Sequence, residues 1–231
     1  MNHGDHHYFV MHTDNVLADE AFFSRLLGWE LTGGELTNVA FFGALSDHHP
    51  RAIWVHVDDC AAAVARVAEL GGEPGEITEE GSGLNATCRD DQGNTFHMGT
   101  LIEAYRNHPH PDPLPTGELG YFTLPVGDPD RAVEFYGPLF GWTFDAPGTS
   151  GTHPDYRHCN SGTLPFGFTA EGDISPDLYF RIDDAHGSRS RVTGLGGTHG
   201  DIVDSETGPS LTACESPGGV RFNLWQPADG Y

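Results

Sequence analysis

Apolar and polar positions along this chain follow two rhythms. Short stretches alternate at every second residue, as in YFVMH from Tyr8 and AIWVH from Ala52, which is the period of a half-buried strand. Longer stretches repeat at three and four residues. In VLADEAFFSRLLGW, the side chains of Val16, Leu17, Phe22, Phe23, Leu26 and Leu27 recur at helical spacing. A short polar side chain precedes each helical stretch and can accept from its free backbone N–H groups. Asp14 or Asn15 is placed to do so before the first helix and Asp59 before the second. A glycine follows each helix, Gly28 and then Gly71, where a left-handed residue closes the last turn. AAAVARVAEL is strong helix composition. Weaker strands complete a β-α-β-β-β unit over residues 8–45 and again over 52–100.

The whole pattern then repeats. YFVMHTDNVLADEAFFSRLLGWEL is matched by YFTLPVGDPDRAVEFYGPLFGWTF. Tyr8 pairs with Tyr121, Phe22 with Phe135 and Trp29 with Trp142, each at an offset of 113 (121 − 8). Further on, Asp59 pairs with Asp184 and Gly71 with Gly196 at an offset of 125 (184 − 59). Cys88 pairs with Cys214 and His97 with Asn223 at 126 (214 − 88). The growing offset places an insertion in the second copy, in APGTSGTHPDYRHCN from Ala146. The expected architecture is α+β, with four tandem βαβββ modules in two domains. The first domain is predicted over 1–101 and the second over 119–231, and the sequence leaves open whether modules pair within a copy or across copies. Between them, 102–118 is rich in Pro and His and reads as an extended linker.

Composition narrows the partners. The chain of 231 residues carries 34 acidic and 11 basic side chains, a formal charge of −23, and every basic residue is Arg. Such a surface repels phosphate backbones and anionic lipid, so nucleic acid and membranes are not expected partners. MNHGDHHYFV has no basic stretch leading into an apolar one, and no apolar run is long enough to span a bilayer. A cytoplasmic location is expected, as a monomer or homodimer. Cys60, Cys88, Cys159 and Cys214 show no C-x-x-C spacing and are expected as reduced thiols. The equivalent positions of Cys88 and Cys214 favour packing over reactivity.

The signature D-x-x-x-A-x-x-F-Y-x-x-L-F-G-W from Asp128, with V-D-D…L-G-G in the first copy, resembles the vicinal oxygen chelate superfamily. Glyoxalases, bleomycin-resistance proteins and extradiol dioxygenases belong to it. DPDRAVEFYGPLFGW and RFNLWQP are similar to two-domain actinobacterial members labelled hydroxylase or antigen. The resemblance implies curved sheets enclosing a cavity. It also implies a divalent metal in some members, held near the start of the first strand, at the equivalent point of the fifth, and four residues after the final Gly.

Those points in the second copy are Tyr121, Asp177 and Asn223, a poor set for a divalent ion. In the first copy they are Ala52, His97 and either His7 or Tyr8, depending on whether Asp14 or Asn15 caps the helix. No metal is expected in the second copy. One remains possible in the first, from His7, His12, His56 and His97, because strand alternation puts His12, His56 and His97 on one face.

Alternation also nominates the residues that meet a ligand. They are Tyr8, Trp54, His12, His56 and His97 in the first copy. Tyr121, Thr123, Tyr179, Arg181, Arg221, Asn223 and Trp225 are their counterparts in the second, with Asp177 beside them. Aromatic walls with a few polar groups suit a flat organic molecule, and Arg181 or Arg221 could clamp a carboxylate or phenolate. The expected function is binding of an aromatic or polyketide-like metabolite of secondary metabolism. The alternative is a lyase, isomerase or oxygenase using His12, His56 or His97 as general base or metal ligand. His3, His6 and His7 read as a mobile terminus. His48, His49, His108, His110, His153, His158, His186 and His199 read as loop or end positions.

Overall fold

A computed structural model describes residues 1–106, 111–146, 154–162, 164–170 and 176–229. It is an α+β chain with two curled sheets. The first sheet holds β1 (His6–His12), β2 (Leu31–Thr32), β3 (Glu35–Leu36), β4 (Phe42–Ser46), β5 (Ala52–His56), β6 (Ile77–Glu80), β7 (Gly83–Arg89) and β8 (Thr95–Leu101). Their order is β2-β3-β4-β1-β5-β8-β7-β6. The second sheet holds β9 (Leu119–Pro125), β10 (Tyr156–Cys159), β11 (Phe166–Thr169), β12 (Asp177–Arg181), β13 (Ile202–Val203), β14 (Ser210–Glu215) and β15 (Arg221–Trp225), ordered β10-β11-β9-β12-β15-β14-β13.

Helices α1 (Val16–Leu27), α2 (Cys60–Glu69), α4 (Pro129–Phe140) and α5 (Ala185–Gly194) follow β1, β5, β9 and β12. Each starts at a short polar side chain. Asn15 accepts from Ala18 N–H and Asp59 from Ala62 N–H. Asp128 accepts from Asp130 and Arg131, and Asp184 from Gly187. Asn15, not Asp14, is therefore the first cap, which makes Tyr8 the first-strand point. Gly28 and Gly141 close α1 and α4 with φ of 76° and 73°. One short helix, α3 (Glu103–Arg106), lies inside the stretch read as an extended linker. The proposed insertion contains β10, and its residues 147–153 lie outside the described residues.

By contact, the chain divides into two compact units that do not follow the copies. One holds Met1–Tyr8, Ala52–Pro109 and Thr123–Pro176; the other holds Phe9–Arg51, His110–Phe122 and Asp177–Tyr231. Each unit therefore draws the second module of one copy together with the first module of the other.

The two units repeat the same core contacts. In the first, Phe96 meets Phe135 edge to face at 5.9 Å. In the second, Phe222 meets Phe22 at 5.9 Å in the same manner. Gly72 faces the Phe135 ring and Gly197 the Phe22 ring, each close enough that a Cβ would lie 3.0 Å from it. Trp142 Nε1 donates to Gly4 C=O at 2.8 Å, and Trp29 Nε1 to Gly117 C=O at 2.8 Å. Those acceptor glycines have φ of 86° and 91°. A Cβ at Gly4 would lie 2.3 Å from Phe140 O, and one at Gly117 2.6 Å from Leu27 O. No L side chain fits there without moving backbone.

This predicts a graded mutational response. Gly117→Ala combines a left-handed backbone with a carbonyl clash and should cost about 2–3 kcal/mol. Gly28→Ala, whose Cβ would meet nothing within 4 Å, should cost only about 1 kcal/mol. Urea midpoints of the two variants check this; equal losses would contradict it.

Candidate functional site

In the first unit, three half-buried rings gather on one face of the sheet. β5 pairs in parallel with β8, which sets Trp54 beside His97 and His56 beside Gly99. β7 pairs with β8 antiparallel, which sets Thr87 beside His97 and Asn85 beside Gly99. The five-residue turn between Arg89 and Thr95 holds that register: the Asp90 carboxylate accepts from Gln92 N–H, Asn94 N–H and Asn94 Nδ2. The His97 imidazole stacks on Trp54 at 4.4 Å, with planes 24° apart. Tyr8 meets the Trp54 ring edge to face at 5.4 Å. The Thr87 hydroxyl hydrogen-bonds His97 Nδ1 at 2.9 Å.

His56 lies further along the same face and is fully buried. Its Nδ1 accepts from Leu101 N–H at 3.4 Å, and its Nε2 has no hydrogen-bond partner. Burial holds its pKa below the ordinary histidine value, and Arg106 lowers it further. His12 ends β1 in an exposed position, hydrogen-bonded to His49 C=O and 3.7 Å from the Asp14 carboxylate. His12, His56 and His97 do not form a metal cluster. Among the described residues, no group of three or more His, Cys, Asp or Glu side chains is placed to hold an ion.

In the second unit, Tyr121 meets Tyr179 edge to face at 5.6 Å. Tyr179 pairs in register with Asn223, which is buried. The Asn223 amide is engaged on both sides, accepting from Ala213 N–H and donating to Leu178 C=O. Asp177 pairs with Arg51 at 3.4 Å, and Arg51 also reaches Arg221 C=O at 3.5 Å. The Arg51 side chain is largely buried, whereas Arg221 is exposed. Arg181 donates to the Thr116 hydroxyl and pairs with Asp183. Trp225 Nε1 donates to Thr207 C=O at 3.0 Å. Thr123 is half-buried in β9, within the first unit rather than the second.

The donor set can be tested against the metal that the resemblance implies. The three points are Tyr8, Ala52 and His97 in the first copy, and Tyr121, Asp177 and Asn223 in the second. Ala52 offers no donor, the Asn223 amide is committed, and Asp177 already faces a guanidinium. Imidazole and carboxylate ligands in closed sets of three are what a divalent ion needs. These residues do not fit such a centre.

Sequence reasoning missed Thr87, Asn85 and Arg51. The Thr87 and Asn85 positions were available from the Asp90-to-Asn94 turn, which fixes the β7–β8 register. Arg51 precedes a strand and carries no periodic signal. The N-terminal histidines are not a mobile end. His6 and His7 are buried in β1, with His6 5.1 Å from the Trp142 ring, and His3 Nε2 hydrogen-bonds Leu139 C=O. His158 lies in β10 rather than in a loop, and His186 is exposed in the first turn of α5, an end position as expected. His108, His110 and His153 lie outside the described residues. All four thiols are buried, and burial pushes Cys214 up to about 12.

Burial pushes His6 and His7 down to about 3, His7 adding to the effect on His6 and His56 to that on His7. The unfolded chain takes up these protons near pH 6.5, and the folded chain refuses them until about pH 3. Stability therefore falls as pH drops through that window, by up to about 1.4 kcal/mol per pH unit per group. Leu119 occupies the place of His6 in the second copy (119 − 6 = 113) and is buried. His6→Leu should flatten the slope of unfolding free energy between pH 4 and 6 by about that amount. An unchanged slope in urea titrations would contradict it.

A glyoxalase-like domain family model matches residues 121–225. A glyoxylase-like domain-containing protein of Didymella fabae is 31% identical over 101 residues, 35% of this chain and 70% of that protein. The fold is similar to the Mn(II)-bound glyoxalase from Novosphingobium aromaticivorans, with 15% identity, 97% and 82% of the two chains covered, and a TM-score of 0.67. It is also similar to the 2,3-dioxygenase LapB from Pseudomonas sp. KL28, with 12% identity, 100% and 96% coverage, and a TM-score of 0.64.

Proposed function

This chain belongs to the glyoxalase-like family of the vicinal oxygen chelate superfamily, and from that premise we propose that it binds a flat aromatic small molecule on the Tyr8–Trp54–His97 face. The observation that carries the reading is the half-buried stack itself. Three rings share one strand face with the Thr87 hydroxyl, and none of the three is fully enclosed. Rings that only fill a core are buried, as Phe9, Phe122, Phe168 and Phe180 are here. A partly open stack with a few polar groups suits a planar ligand, which gains apolar contact with Trp54 and orientation from the imidazole and hydroxyl. Tyr121 and Tyr179 offer a second, smaller face of the same kind. Among the described residues, no helix is long and apolar enough to cross a membrane.

A second reading has one specific support. The Thr87 hydroxyl fixes the orientation of His97 through Nδ1, which is how a general base is held in place. In that case His97 would move a proton on the bound ring, in lyase, isomerase or oxygenase chemistry.

Calorimetry against a panel of flat aromatic and polyketide-like metabolites tests the first reading. A ligand should bind, and Trp54→Ala should weaken it at least tenfold, as loss of about 1.4 kcal/mol requires. No binder at high micromolar concentration, or a binder indifferent to Trp54→Ala, would overturn it. Turnover of the bound compound that disappears in His97→Ala would favour the second reading.

A further inference from the structure

Beyond the ring stack, the same face of the first unit ends in buried polar atoms that the fold does not satisfy. His56 and Asn85 flank Gly99 in one cross-strand row, since His56 pairs with Gly99 and Gly99 with Asn85. Gly99 has no side chain, and a Cβ there would lie 2.7 Å from Asn85 Oδ1. The glycine is what lets the Asn85 amide lie across the strand. Asn85 Nδ2 and His56 Nε2 are both buried without a hydrogen-bond partner. The Asp58 carboxylate lies 3.7 Å from His56 Nε2, beyond hydrogen-bond reach.

The direction of the missing bonds follows from chemistry. His56 Nδ1 accepts the Leu101 N–H, so a neutral His56 carries its proton on Nε2. An amide Nδ2 is a donor in every state. Two buried donors thus have no acceptor within hydrogen-bond distance, in a position where each unmade bond costs about 1–3 kcal/mol. Native proteins seldom leave such groups unmet without a ligand or an ordered water. His7 Nε2 is buried and unpartnered as well, close enough to His56 that a charge on either disfavours a charge on the other.

We propose that His56 Nε2–H and Asn85 Nδ2–H form an acceptor-oxygen subsite that receives a carbonyl or similar oxygen carried by an aromatic ring lying on Trp54. The proposal rests on the aromatic-face reading and adds to it the ligand's second feature. One face supplies both the apolar surface for the ring and, one register step along β5 and β8, the donors for its oxygen. A ring bearing an acceptor oxygen then satisfies both donors, and a ring without one leaves them unmet.

A matched pair of probes separates the two ideas. 2-Acetylnaphthalene and 2-ethylnaphthalene are both neutral and differ chiefly in one carbonyl oxygen. The ketone should bind the full chain at least tenfold more tightly. Asn85→Leu and His56→Phe should each cut that preference to under threefold, while Trp54→Ala should weaken both compounds alike. Equal binding of the two probes, or a preference that survives both donor variants, would overturn the subsite while leaving the aromatic face intact. Binding of neither would remove both readings. A ligand-free check stands beside these: nitrogen-15 NMR of the His56 ring should report the Nε2–H tautomer. A proton on Nδ1 would present an acceptor instead and would overturn the subsite alone.

Discussion

Two tryptophan–glycine hydrogen bonds govern how this chain is put together. Trp29 follows the first helix of the first copy, and its acceptor, Gly117, comes just before the first strand of the second. Trp142 follows the corresponding helix of the second copy and reaches back to Gly4, just before β1. Each bond thus joins one copy to the other inside a single compact unit. Both acceptors are glycines in left-handed conformation pressed against a helix-end carbonyl, so the approach is available to no other residue. The edge-to-face pairs Phe22–Phe222 and Phe135–Phe96 pack on the same plan.

Duplication explains why the plan appears twice, and divergence explains why the two faces differ. Where the first copy carries Trp54 and His97, the second carries Tyr179 and Asn223 at the matching offsets (179 − 54 = 125; 223 − 97 = 126). His97 keeps an imidazole that stacks on Trp54 and hydrogen-bonds the Thr87 hydroxyl. Asn223 instead spends its amide on the surrounding backbone, and the neighbouring Asp177 is held by Arg51. The second copy's face thus spends its amide and its carboxylate on bonds within the fold.

Much of this was readable in the residues. Period-two and period-3.6 patterns placed the strands and the four main helices, and Asx caps with closing glycines fixed their ends. The module count followed from offsets near 113 and 125. Alternation put Tyr8, Trp54 and His97 on one face, and the structure brings the three into contact. The same rule put His12 there too, but alternation says nothing about where along a strand the face leaves the protein, and His12 is exposed. Cross-copy contacts were not legible because they join residues far apart in the chain, 39 positions for Phe96 and Phe135 and 200 for Phe22 and Phe222, with no local signal. Gly4 and Gly117 look like ordinary turn glycines until their neighbours are known. His6 and His7 look like polar terminal residues, and only the packing of His6 against Trp142 and Phe166 shows why they are buried.

Compact units assembled from both copies are the physical core of this description. Its most direct test is the proton–nitrogen NMR spectrum of residues 1–101 produced alone and held monomeric at low concentration. Lacking Gly117, Phe222 and the rest of its partner modules, that fragment should give a poorly dispersed spectrum without cooperative unfolding. A well-dispersed spectrum from a monomeric, cooperatively folding 1–101 would contradict the account.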